Sequence, residues 1–93
     1  MRTIERTNQF KRDYKRELKG QHRATLNEDF IDAVKLLVND LPMPERYRDH
    51  ALTGGWKDFR DCHIKPDLVL IYNKPDDKHL RLVRIGSHSE LGL

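Results

Sequence analysis

A single cysteine, Cys62, leaves no partner for an intrachain disulfide in these 93 residues. The fold must therefore be held by packing, and the expected home is a reducing, cytoplasmic one. No apolar run approaches the roughly 20 residues a membrane-crossing helix needs. The opening Met1-Arg2-Thr3-Ile4-Glu5-Arg6 lacks the apolar stretch of a secretory signal. No His-x-x-His, Cys-x-x-Cys or Glu-x-x-His pair is present to nucleate a metal site, so neither a metal nor another cofactor is expected. Repeats, low-complexity tracts and linkers are missing too. What remains is one domain, residues 1–93, with room for a single modest core.

Charge is abundant. Charged residues make up 35% of the chain against 37% hydrophobic, and 18 Lys and Arg outnumber 15 Asp and Glu for a net +3. That composition suits a folded, highly charged domain rather than a disordered one. The basic surplus favours anionic partners such as RNA or an acidic protein.

Periodicity supplies the elements. Arg2 to Arg6 reads as a brief edge strand. Thr7 or Asn8 caps a helix whose Phe10, Tyr14 and Leu18 form one narrow apolar stripe, with Gly20 as its stop. A second helix starts near Thr25 to Asn27 and runs to about Asn39, with Leu26, Phe30, Ala33, Val34, Leu37, Val38 and Leu41 on a broad apolar face. Pro42 and Pro44 end it, because each lacks an N–H and biases its predecessor away from helical geometry. An extended segment, Glu45 to Asp49, then leads to His50. Thr53-Gly54-Gly55 is a turn, Trp56 opens a strand reaching about Ile64, and Lys65-Pro66-Asp67 is a tight connection. Leu68-Val69-Leu70-Ile71-Tyr72 is apolar on both faces, as a strand covered on both sides must be. After a turn at Pro75-Asp76-Asp77, Leu80 to Ile85 is the last strand, and Gly86-Ser87-His88-Ser89 enters an irregular tail. The order β-α-α-β-β-β predicts an α+β fold in which an N-terminal strand and a helical hairpin pack on an antiparallel β-meander.

Titratable residues crowd the stretch from His50 to Tyr72, more than a purely structural hairpin requires. The segments Arg48-Asp49-His50-Ala51-Leu52-Thr53-Gly54-Gly55-Trp56, Arg60-Asp61-Cys62-His63-Ile64-Lys65-Pro66-Asp67, Leu70-Ile71-Tyr72 and Arg84-Ile85-Gly86-Ser87-His88-Ser89 together resemble the YafQ-type toxins of the RelE/ParE superfamily. The resemblance spans essentially the whole chain. It implies a microbial-ribonuclease-like sheet and a toxin that cleaves mRNA on the translating ribosome, held inactive by a cognate antitoxin. It also implies that His50, His63, Asp67, Arg84 and His88 form the catalytic set. One departure lies in the tail, Leu91-Gly92-Leu93, where relatives often carry an aromatic residue.

The chemistry suits those residue types. Metal-free RNA cleavage needs a base for the ribose 2′-hydroxyl proton, an acid for the departing 5′-oxygen, and a cation near the phosphate. Histidine serves either proton role because its ordinary pKa, about 6.5, lies near working pH. The resulting expectation is His88 as general acid, Asp67 or His50 as general base, His63 as transition-state support and Arg84 as phosphate clamp. Arg46, Arg48, Lys57 and Arg60 are candidate RNA contacts. Trp56, Phe59, Tyr72 and Cys62 are expected in the core, and His22 and His79 outside the chemistry. Two other readings stay open: a non-catalytic ParE-like toxin of the same fold that binds gyrase, and a metal-binding module built on the histidines.

Overall fold

In the computed structural model, which describes every residue except Gln21, a five-stranded sheet in the order β1-β5-β4-β3-β2 carries the chain. The strands are β1 (Thr3–Arg6), β2 (His50–Ala51), β3 (Arg60–Lys65), β4 (Leu68–Asn73) and β5 (His79–Gly86). Helices α1 (Asn8–Leu18) and α2 (Leu26–Val38) cover one face, and a one-turn helix α3 (His88–Leu91) closes the chain. The α+β fold of helical hairpin on meander is as expected. β1 joins it as an edge strand, parallel to β5.

The doubly apolar run became the centre of the sheet. All five of its residues, Leu68 to Tyr72, are buried. Leu68, Leu70 and Tyr72 face the helices, packing with Phe10, Leu26, Ala33, Leu37, Leu80, Leu82 and Ile85. Val69 and Ile71 face the other way, into a smaller cluster with Leu91, Trp56, Phe59 and Val83. Fully burying each such aliphatic side chain contributes about 1.5–3 kcal/mol, so both layers matter. Cys62, Phe59, Trp56 and Tyr72 are packed as the sequence suggests.

Four local expectations need correction. Glu45–Tyr47 is a 3-10 turn rather than extended chain, closed by Arg48 in the left-handed region (φ 47°, ψ 42°). Trp56 does not open a strand. It ends a second 3-10 turn, Gly54–Trp56, and β3 begins only at Arg60. Aromatic residues favour strands, but Gly54 at φ +64° and contact with Phe59 (5.5 Å, edge-on) decide otherwise. Leu41 lies beyond α2 and is 52% exposed. The tail is helical, because Ser87 and Glu90 form a reciprocal capping box.

One buried acid organises the join between α1 and the sheet. β5 outruns β1, so its edge beyond Leu82 lacks a strand partner. An unpaired edge must be satisfied some other way. Here α1 does it: the Thr7 hydroxyl donates to the Val83 carbonyl (2.8 Å), Arg16 Nη2 to the Ile85 carbonyl (3.1 Å), and the Ile85 N–H to Asp13 Oδ2 (3.2 Å).

Candidate active site

β3 places alternate side chains on opposite faces. Cys62 and Ile64 join the helical side, while Asp61 and His63 point to the face the helices leave uncovered. β2 pairs His50 directly with Asp61. The two-residue turn Pro66–Asp67 and the capping box at Ser87 then bring Asp67 and His88 to the same end of the sheet.

His88 is held from both sides. Its Nδ1 lies 2.9 Å from Asp67 Oδ1, and its backbone N–H donates to the same oxygen at 3.4 Å. Its Nε2 lies 3.1 Å from Nε2 of His63. Two lone pairs facing each other would repel and two N–H groups would collide, so one proton is shared between these nitrogens. Burial pushes the His63 pKa down, and the His88 charge adds to that. The hydrogen bond from His88 holds Asp67 below the ordinary carboxylate value, so it is an acceptor at neutral pH. Asp67, as an acceptor, takes the His88 Nδ1–H and orients the ring.

His50 and Asp61 complete the arrangement. A cavity of about 530 Å³ is walled by His50, Asp61, His63 and His88 together with Trp56 and Leu52, among others. Asp61 is 3% exposed. Its Oδ1 lies 3.0 Å from His50 Nδ1 yet receives no well-aligned hydrogen bond. Burial raises its pKa, against the pull of His50, His63 and His88. The sequence reading missed this residue. The available signal was an acid between Arg60 and Cys62, two positions from His63, on a strand with one polar face.

Of the five expected catalytic residues, His50, His63 and His88 meet at this cavity, and Asp67 supports His88 from behind. Arg84 is engaged elsewhere. Its Nε and Nη2 donate to the two oxygens of Asp13, at 2.9 and 3.1 Å. The hydrogen bond to Asp13 raises the Arg84 pKa; burial pushes the Asp13 carboxyl up, but the hydrogen bonds from Arg84, Gln9 and the Ile85 N–H, together with the Arg84 charge, hold it below its ordinary value. A clamp on phosphate is left with Nη1 as the nitrogen not committed to Asp13.

The expected RNA contacts divide. Arg46 and Arg48 line a second, polar cleft of about 610 Å³ that shares His63 with the first cavity. The Arg46 guanidinium stacks 4.9 Å from the Tyr47 ring centroid. Arg60 pairs with Asp49 (3.0 Å), and Lys57 is exposed just after the second 3-10 turn. His79 bonds Asp76, away from the cavity. No group of three metal-ligating side chains occurs among the described residues.

Comparison with known proteins adds a family to this geometry. The family model described as bacterial toxin of type II toxin-antitoxin system, YafQ, matches residues 2–92. The mRNA interferase toxin YafQ of Escherichia coli K12 is 41% identical over 90 residues, covering 97% of this chain and 95% of that protein. The crystal structure of the E. coli DinJ-YafQ toxin-antitoxin complex contains a chain 41% identical, with a TM-score of 0.81, covering 97% of this chain and 96% of that one. A metal-bound toxin from Helicobacter pylori is likewise 41% identical with a TM-score of 0.81, covering 98% and 99% of the respective chains.

Proposed function

Because the chain belongs to the YafQ family of type II toxin-antitoxin toxins, we propose that it cuts mRNA on the ribosome by metal-independent acid–base catalysis, with His50 as base and His88 as acid. It is an mRNA interferase, an endoribonuclease, and its partner is a cognate antitoxin. The finer reading rests chiefly on one observation: His88 is fixed between Asp67, at Nδ1, and His63, at Nε2, where it lines the cavity with His50.

In the proposed reaction His50 Nε2 removes the proton from the ribose 2′-hydroxyl. The 2′-oxygen forms a bond to phosphorus as the bond from phosphorus to the 5′-oxygen breaks, and His88 Nε2–H protonates that leaving oxygen. The products are a 2′,3′-cyclic phosphate and a 5′-hydroxyl. The base role that the sequence left open between Asp67 and His50 is assigned here to His50, because Asp67 is bonded to His88. Arg46 and Arg48, in the polar cleft that shares His63, would contact the phosphate backbone.

The ribosome enters for a physical reason. His50, His88 and Asp67 have side chains 54%, 42% and 62% exposed, so water is not excluded from the reacting groups. Positioning can contribute roughly 7–11 kcal/mol to such a reaction, and a ribosome that holds the mRNA in line can supply it.

The test is His88→Ala in a ribosome-bound cleavage assay. The variant is expected to fold and bind ribosomes but to cut at least about 10²-fold more slowly, the lower end of what acid–base catalysis contributes. A 2′-deoxy nucleotide at the cut should block cleavage by the wild type. Cutting of that substrate would sink the mechanism, and full activity of His88→Ala would move the acid to another histidine. Loss of gyrase supercoiling with no mRNA cleavage would favour the gyrase-binding reading.

A further inference from the structure

His50 is an exposed side chain on a two-residue strand, a weak platform for a base, so what aims it matters. Its Nδ1 faces two acceptors at once: the Arg48 carbonyl at 2.7 Å and Asp61 Oδ1 at 3.0 Å. A carbonyl cannot donate, so a bare lone pair on Nδ1 would meet the Arg48 carbonyl lone pair at 2.7 Å. Nδ1 must carry the hydrogen.

The Arg48 carbonyl reaches that position through an unusual backbone. Arg48 is one of two non-glycine residues with positive φ among those described. A left-handed conformation is strained for a residue with a β-carbon and tends to persist where its surroundings over-determine it. Here the next residue is tied down. Asp49 accepts from the Tyr72 hydroxyl of β4 and from Arg60 of β3. The left-handed step at Arg48 thus lets the 3-10 turn end, Asp49 dock on the sheet, and the carbonyl two residues back point at the imidazole.

We propose that Arg48 is a positioning residue: its left-handed backbone locks His50 in the Nδ1–H tautomer and leaves Nε2 as the lone pair that accepts the 2′-hydroxyl proton. The free imidazole favours the opposite tautomer, with the hydrogen on Nε2, which cannot act as base at that atom. The assignment of His50 as base belongs to the function proposed above; the lock itself is independent of it.

Ring-nitrogen shifts decide the lock. A long-range proton–nitrogen spectrum of the labelled wild-type protein, at a pH where His50 is neutral, should show protonated Nδ1 and bare Nε2. A bare Nδ1 would overturn the proposal without reference to any activity. Arg48→Gly and Arg48→Val then separate backbone from charge, since both lose the guanidinium and only valine resists positive φ. The glycine variant should keep the wild-type tautomer, with a raised KM from the lost cation. The valine variant should show Nε2–H or mixed signals and a kcat lower than that of glycine by at least about tenfold, part of the 10²–10⁴ that a base contributes. Equal kcat and identical His50 spectra in the two variants would refute the role of the backbone. If the wild type shows the lock but His50→Ala cuts normally, the base assignment falls and the lock stands.

Discussion

Asp13→Asn isolates the buried charge that joins α1 to the catalytic sheet. The carboxylate has no exposed surface and accepts from five donors: Gln9 Nε2 and Arg16 Nη1 on Oδ1, Arg84 Nη2 also on Oδ1, and Arg84 Nε and the Ile85 N–H on Oδ2. Asparagine keeps the shape but turns one oxygen into an amide nitrogen, so at least two donors meet another donor. Breaking a buried ion pair from one side costs about 3–5 kcal/mol. Arg84 and Arg16 keep 25% and 40% of their side-chain surface in water, which lets solvent recover part of the loss, whereas the Ile85 N–H is buried. The lower end, about 3 kcal/mol, is expected, and at roughly 4–8 °C per kcal/mol for a domain of this size the melting midpoint should fall by about 12–24 °C. Calorimetry of wild type and variant measures it. The pH dependence gives a second reading. Asp13 is held below its ordinary pKa of 3.8, so its contribution is present above that value and is lost as pH falls below it through the folded-state pKa. The wild type should lose stability across that acidic window more steeply than Asp13→Asn. A change in midpoint under about 4 °C, with parallel acid curves, would refute the buried-anchor argument.

Cys62 has no exposure and burial pushes its thiol pKa upward, so the native protein should resist iodoacetamide until unfolded, and Cys62→Ser should cut mRNA at the wild-type rate despite a stability cost of about 1–3 kcal/mol for the buried hydroxyl. A folded Cys62→Ser protein without activity would make the thiol catalytic. Cleavage should survive EDTA once magnesium is restored for the ribosome. Rescue by zinc or manganese alone would instead favour a metal role. His79→Ala should match the wild type in both rate and ribosome binding; a slower variant would extend the site to the β4–β5 turn.

Much of the fold was legible because its signals are long. The run Leu68–Tyr72 announces a strand covered on both sides, and the stripes of α1 and α2 repeat over several turns. What the sequence hid is short. The 3-10 turns Glu45–Tyr47 and Gly54–Trp56 have three residues each, too few for any period to show, and Pro44 before the first reads equally well as extended chain. Helix α3 is only one turn, although Ser87 and Glu90 spelled out its cap. Asp13 was invisible for another reason. It sits beside the Phe10–Tyr14 stripe like any charge on a helix, and its partners Arg84 and Ile85 lie 71 and 72 residues away.

The site was legible as an inventory and illegible as an assignment, and the difference is physical. A sequence presents three histidines of equal intrinsic chemistry. Their roles depend on what faces the second nitrogen of each ring. At His88 that partner is Asp67, which takes Nδ1–H and fixes the ring; at His63 it is His88 itself, which with burial favours the neutral ring; at His50 it is a main-chain carbonyl aimed by a left-handed residue. A backbone carbonyl has no letter in the sequence, and a positive φ at an arginine has no composition signal. In the proposed assignment the division of labour between acid and base depends on the turn before β2, and the same turn is where a single valine should undo it.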